Sequence, residues 1–522
     1  MKKLAAMALT VPLLLSFAAG AFAKAKFDDD SGNLGVYYEI YVNAFRDSDN
    51  DGKGDLNGLT QKLDYLNDGN RRTSTDLEVD ALWLMPVTAS PSYHKYDTTD
   101  YYSIDPQYGT LEDFRRLTEE ADKRGMNVIL DLAVNHTSNQ HPWFKEAVRD
   151  KNSKYRDYYV WADESTDINE KGPWGQQLWY ETYPGSGDYY YALFADFMPD
   201  LNFDNPEVRK EMINVGKFWL KQGADGFRLD AAMHIFGEQE VDKNVAWWDE
   251  FKQGLQEVKK DVYLVGEVWD RPEKIAPYYK ALDSLFNFDL SGKLLESVRS
   301  GKDNGLAAFS RQILEQYEAY GSNPIDAQFL TNHDQERTMS VLGGDVNKAK
   351  MAASILLTLP GNPFMYYGEE IGMLGKNPHE YIREPFRWYP EGGEGQTFWE
   401  APRDNVGPNA VSVETQTNDP DSLLSRYREM IRIRHDSEAL MKGGIEEVQT
   451  GDDKVIGYKR TYKNDSVLVL HNLSGEEATV KLDRDDFKGR KLEFATSDYV
   501  KVAKTREGVE VTIPAYTSAG LK

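Results

Sequence analysis

The sequence predicts an α/β protein built on a (β/α)8 barrel, with a loop-rich insertion after the third strand and an antiparallel β-sandwich domain at the C-terminus. Three observations carry this reading. Short strand-like segments alternate eight times with helical stretches. Several are continuous apolar runs, such as Val128-Ile129-Leu130 and Phe364-Met365-Tyr366-Tyr367, as parallel strands buried on both faces require. From about Gly443 onward the pattern becomes one of alternating strands.

In chain order, the first residues read as an export signal. Lys2 and Lys3 precede an apolar run from Leu4 to Phe22, and Ala21-Phe22-Ala23 fits a cleavage site, so residues 1–23 are removed and the mature chain begins near Lys24. The run is short for a membrane span and no Cys follows it, so neither a transmembrane nor a lipid anchor is expected after cleavage. Barrel strands are predicted at 36–45, 81–87, 127–135, 226–231, 262–269, 285–290, 327–332 and 363–367, with amphipathic helices at 112–124 and 206–222. Residues 24–136 then form the first part of the barrel, 137–203 the insertion, 204–442 the rest of the barrel and 443–522 the β domain. The insertion is rich in Tyr, Trp, Asp and Gly, as a functional excursion at the barrel's top face would be. Strands at 455–462, 466–472 and 509–513 mark the C-terminal domain.

The bulk numbers bound the function. The 522 residues are 40% hydrophobic, with 31 Tyr, 22 Phe and 11 Trp, enough for a large core. Acidic residues outnumber basic ones by 86 to 61, and a net charge of −25 repels phosphate backbones, so nucleic acid is excluded as a partner. The chain has no Cys, so an exported form must depend on its core and on metal ions.

In such a barrel, chemistry comes from the C-terminal ends of the strands. The fourth ends Phe227-Arg228-Leu229-Asp230-Ala231, the fifth Val265-Gly266-Glu267-Val268-Trp269 and the seventh Thr331-Asn332-His333-Asp334. Arg228 and Asp230 are two apart and face the same way, which favours an ionised Asp230, as a nucleophile must be. Apolar neighbours favour a protonated Glu267, as a general acid must be. Any one of these carboxylates alone would read as an ion-pair residue; their joint placement at strand ends inside apolar runs points to a site.

These segments, with Asp131-Leu132-Ala133-Val134-Asn135-His136 of the third strand, resemble the signature regions of the α-amylase family, glycoside hydrolase family 13. The resemblance implies a retaining enzyme that cuts α-1,4-glucosidic bonds in starch and maltooligosaccharides. Asp230 takes the place of the family's nucleophile, Glu267 of its acid/base and Asp334 of its transition-state stabiliser. His136, Arg228 and His333 match its sugar-binding residues, as do His94 and Tyr96 of His94-Lys95-Tyr96-Asp97, and Arg383. Met198-Pro199-Asp200-Leu201-Asn202 is similar to the branch between oligo-1,6-glucosidases and neopullulanases, and Ala231 after the nucleophile goes with α-1,4 preference. Met233 departs from the Lys of many relatives. The resemblance leaves open a cyclomaltodextrinase, maltogenic amylase, α-glucosidase or transglycosylase on the same scaffold. A non-catalytic binding protein with this fold is a further alternative, against which the three carboxylates argue.

The stretch Asp47-Ser48-Asp49-Asn50-Asp51-Gly52-Lys53-Gly54-Asp55 can gather Asp47, Asp49, Asp51, Asp55 and the Lys53 carbonyl around one Ca²⁺, although the same spacing also suits a solvated acidic turn. Gly58 stands where an EF-hand carries Glu, so this is not that motif. The resemblance implies a second Ca²⁺ at Asn135, Asp200 and the His234 carbonyl. Among the insertion's aromatics most should be local core, with one or two, or Trp399, lining a glucan cleft. The expectation as a whole is a secreted, monomeric, Ca²⁺-binding enzyme.

Overall fold

The computed structural model describes residues 33–407, 410–483, 490–506 and 508–522. The export signal lies outside these residues. Eight parallel strands close into a barrel: Tyr37–Ile40, Ala81–Leu84, Asn127–Leu132, Gly226–Leu229, Tyr263–Gly266, Ser284–Phe286, Ile325–Phe329 and Asn362–Tyr366. Each pairs with its sequence neighbours, and the first closes on the last through Tyr37 opposite Phe364. Among the described residues no helix is long and apolar enough to cross a membrane.

Period-two alternation explains what fills the barrel. Tyr37, Ala81, Trp83, Ile129, Tyr263, Val265, Phe286, Ala327, Phe329 and Phe364 form one buried cluster apart from the main core. Tyr37 stacks on Phe364 with centroids 4.5 Å apart. Two residues further along their strands, the same rows carry buried polar groups: Glu39 beyond Tyr37, Asp131 beyond Ile129 and Arg228 beyond Gly226. An aromatic floor thus supports a charged upper layer.

Seven of the eight barrel strands are shorter than expected, and the first and sixth show why. The first stops at Ile40, where pairing with the second ends at Leu84, and the chain turns helical over Val42–Phe45. The sixth stops at Phe286 because Asn287 caps the helix Phe288–Ser300, its side chain accepting from Leu290 N at 3.0 Å. The predicted helices form as Leu111–Lys123, with a Thr110–Asp113 capping box, and Pro206–Lys221.

Within 137–203 the chain makes a helix, Pro142–Arg149, and a hairpin pairing Trp179–Glu181 with Tyr189–Tyr191. Beyond the barrel, the strands Gly444–Glu447, Val455–Tyr462, Asp465–Asn472, Ser518–Leu521 and Leu492–Ala495 form one antiparallel sheet. Ala478–Asp483, Gly508–Ile513 and Lys501–Lys504 form a second, with a shared apolar core around Leu468, Val480 and Val511.

Candidate active site

The fourth and fifth strands run in register up to Leu229 opposite Gly266, so Asp230 and Glu267 leave the barrel side by side. Gly226 permits this approach, since a Cβ there would collide with the Tyr263 carbonyl oxygen. Arg228 holds both carboxylates: its Nη1 lies 2.6 Å from Asp230 Oδ1 and its Nη2 2.8 Å from Glu267 Oε2. Retaining glycosidases keep their two carboxyls about 5 Å apart, and one guanidinium spans a gap of that order. Nη1 also reaches Asp131 Oδ1 at 2.8 Å.

A second group forms at the seventh strand. His333 sits between Glu39, 2.5 Å from Nδ1, and Asp334, 3.1 Å from Nε2. Arg383 donates from Nη2 to Asp334 Oδ1 at 2.8 Å. Tyr96 joins the groups, its hydroxyl 2.8 Å from Asp131 Oδ2 and 2.7 Å from His333 Nε2.

Burial and partners set the charges. Burial pushes the Glu267 carboxyl up to about 7, reinforced by Asp230 and Asp334 and opposed by Arg228. Burial also raises Asp334, but His333 and Arg383 outweigh it and hold the carboxyl well below the usual range. His333 rises to about 10, because Asp334 and Glu39 overcome its burial. His94 falls to about 4 and His136 is also lowered, both by burial, so both imidazoles are neutral at pH 7.

A cavity of about 850 Å³ opens above these groups. Of the predicted residues, Asp230, Glu267, Asp334, His94, Tyr96, His136, His234 and Arg383 line it. Arg228 and His333 do not: their side chains are 0% exposed, against 14% for Asp230, 12% for Glu267 and 30% for Asp334. They form the layer beneath the lining. Met233, Trp174, Phe194, Trp269 and Glu238 are among the other residues of its wall.

Sequence reasoning missed Asp131, Glu39 and His379, which lies 3.5 Å from Asp334. A signal existed for the first two: each is a lone carboxylate inside an apolar strand, and such a group must find a partner. His379 carried none, since it opens a short helix, His379–Ile382, in a polar stretch after the eighth strand.

In the acidic loop, oxygens of Asp47, Asp49 and Asp55 lie within 4.8 Å of one another. Backbone N–H groups fix them, with Gly52 and Asn50 donating to Asp47 and Gly58 to Asp55. Three converging carboxylates are a hard oxygen donor set able to hold a metal ion. The Asp51 carboxylate lies outside that group and accepts from Lys53 N at 2.8 Å. Asn135 donates to buried Asp200 at 2.9 Å, and Asp200 and His234 line one cavity of about 640 Å³. Of the insertion's aromatics Trp174 and Phe194 line the cleavage cavity, while Tyr159 and Tyr190 are core, as expected of most.

An eight-stranded barrel whose strand ends gather a high carboxyl, a low carboxyl and an arginine-bound carboxylate around a sugar-sized cavity defines a glycosidic-bond-cleaving enzyme. The family description "Alpha amylase, catalytic domain" matches residues 39–443, and "Alpha-amylase SusG C-terminal domain" matches 455–519. The chain belongs to the α-amylase family, glycoside hydrolase family 13. It is 45% identical to Alpha-amylase 3 of Dictyoglomus thermophilum over 92% of each chain. It is 37% identical to a 4-alpha-glucanotransferase of Thermotoga maritima, over 85% of this chain and 96% of that one. The crystal structure of an alpha-amylase from H. orenii superposes with a TM-score of 0.88 at 49% identity, over 94% of this chain and 99% of the other.

Proposed function

We propose that this protein is an α-amylase that hydrolyses α-1,4-glucosidic bonds in starch and maltooligosaccharides by retaining double displacement. The observation that carries the reading is the sharing of Arg228 between Asp230 and Glu267, with Glu267 pushed up to about 7. Asp230 attacks the anomeric carbon, while Glu267 gives its proton to the leaving glucosidic oxygen. A glucosyl ester forms on Asp230. Glu267, now a carboxylate, takes a proton from water, whose oxygen displaces Asp230 and restores the α-configuration. A sugar hydroxyl in place of water gives transglycosylation. Asp334, held ionised by His333 and Arg383, receives hydroxyls of the distorted sugar, with His94, His136 and Tyr96 around the ring.

The acidic loop is proposed to bind Ca²⁺ through Asp47, Asp49 and Asp55, with Asp51 and the Lys53 carbonyl as further ligands. Asn135, Asp200 and the His234 carbonyl are proposed as a second site. Bound Ca²⁺ supplies charge balance and rigidity, not a reacting group. The leader-like start supports export to the medium or a periplasm, and the domain limits 24–136, 137–203, 204–442 and 443–522 are part of the same proposal.

The relatives' activities extend from α-amylase to 4-α-glucanotransferase, and this breadth supports a second reading more than strict endo-cleavage. In that reading a cyclomaltodextrinase, maltogenic amylase or α-glucosidase type works on short or cyclic glucans. Met233 in the cavity, in place of a lysine, fits it. Product analysis on soluble starch and on cyclodextrin, with wild type and Glu267→Gln in calcium buffer, decides. Wild type releasing α-configured maltooligosaccharides of mixed length from starch, with the variant nearly inactive, supports the first reading. Preference for cyclodextrin or short oligosaccharides supports the second. Inert wild type ends both.

A further inference from the structure

Trp399 stands in a Gly-rich loop after the eighth strand, where it could have been a free sugar platform. It is half-buried, and three of its contacts are made within the fold. One face stacks on Tyr93, with centroids 5.5 Å apart and planes at 17°. Its ring meets Tyr41 edge to face at 5.2 Å. Its indole Nε1 donates to the Arg383 carbonyl at 3.1 Å. What Trp399 touches is active-site wall. Tyr93 and Arg383 both line the cleavage cavity. Arg383 in turn grips Asp334 at 2.8 Å and donates from Nε to the His333 carbonyl at 3.1 Å. The loop carrying Trp399 is pinned on its far side, with Phe398 N donating to Gly52 O at 2.7 Å and Asp47 N to Gly395 O at 3.0 Å.

We infer that Trp399 is a positioning residue: its ring sets the Tyr93 face of the cavity, and its indole N–H sets the backbone from which Arg383 reaches Asp334. The inference rests on the reading of this cavity as the glucan-cleaving site. The ring and the N–H have separable tasks, because Tyr93 faces bound sugar whereas Asp334 meets charge that develops during the reaction.

The test compares wild type, Trp399→Ala and Trp399→Phe on a maltooligosaccharide, with kcat, KM and Tm measured for each. The Ala variant loses both contacts, so KM rises and kcat falls by about 10- to 100-fold, the size of effect a misplacement of about 1 Å produces. The Phe variant keeps a ring on Tyr93 and lacks the N–H, so KM returns towards wild type while kcat stays low. That split is what general loosening would not give. Wild-type constants in both variants, or kcat and KM recovering together in Trp399→Phe, overturn the inference. Should the Ala variant not fold, the Phe variant decides alone: low kcat with wild-type KM supports, unchanged kcat overturns. Inert wild type would instead sink the reading of the site, and the inference with it.

Discussion

Arg228 is fully buried and answers for three carboxylates, Asp131, Asp230 and Glu267. Removing one member of a buried ion cluster leaves the others unpaired and costs about 3–5 kcal/mol. Arg228→Met should therefore lower folding stability by that order, read by denaturant unfolding, as well as abolish activity. A variant as stable as wild type would refute the cluster's structural weight. Glu267 gives a pH prediction. A general acid works while protonated, so with its carboxyl near 7 the rate should fall as pH rises past neutrality. A kcat profile flat to pH 9 would contradict its role. Legibility at this scale followed chemistry. Asp230 and Glu267 could be read because each directly follows an apolar strand, and Asp334 because it stands in the turn just beyond one. His379 could not, since its approach to Asp334 is made by folding alone.

The acidic loop is an element whose shape is set locally. Gly52, at φ 90°, makes the turn, and backbone N–H groups already cradle the carboxylates of Asp47 and Asp55. Three gathered carboxylates repel one another unless a cation sits between them. Chelation with EDTA, or Asp47→Asn, should lower Tm by several degrees, about what a loss of 1–2 kcal/mol gives a large domain. Added Ca²⁺ should restore the chelated wild type and restore the variant less well. A Tm indifferent to EDTA would argue for the solvated acidic turn. The spacing of the carboxylates was visible in sequence, whereas the hydrogen bond from Lys53 N to the Asp51 carboxylate came only with the folded turn.

At the scale of the molecule, the β domain is fastened to the barrel by buried polar contacts. Arg460 donates to the carbonyls of Thr358, Gly443 and Gly444, and Thr358 meets Tyr458 and His471. Truncation at 443 should strand Thr358 and the surrounding apolar surface, giving insoluble protein on expression; a soluble, active barrel would refute this. Two histidines tie distant segments of the chain and make stability depend on pH. His333 is raised to about 10 by Asp334 and Glu39, and His435 to about 9 by Asp80 and Glu78. Because these folded values lie above the ordinary 6.5, their stabilisation is complete below pH 6.5 and is lost as pH rises through about 9 to 10. Tm should fall over that window, and less steeply in His435→Gln.

The sequence by itself determined the eight-strand alternation, the changed rhythm of the last eighty or so residues, and the polar residues that follow the fourth, fifth and seventh strands, because period and burial are local properties of a chain. Tertiary structure decided where the strands stop, since pairing partners run out at Leu84 and the cap at Asn287 intervenes. It also sorted the polar residues by depth, sending Arg228 and His333 beneath the cavity and leaving Asp334 at its edge. Burial of that kind is a sum over neighbours brought from far along the chain, Glu39 beside His333 and Tyr96 beside Asp131, and no local pattern encodes the sum.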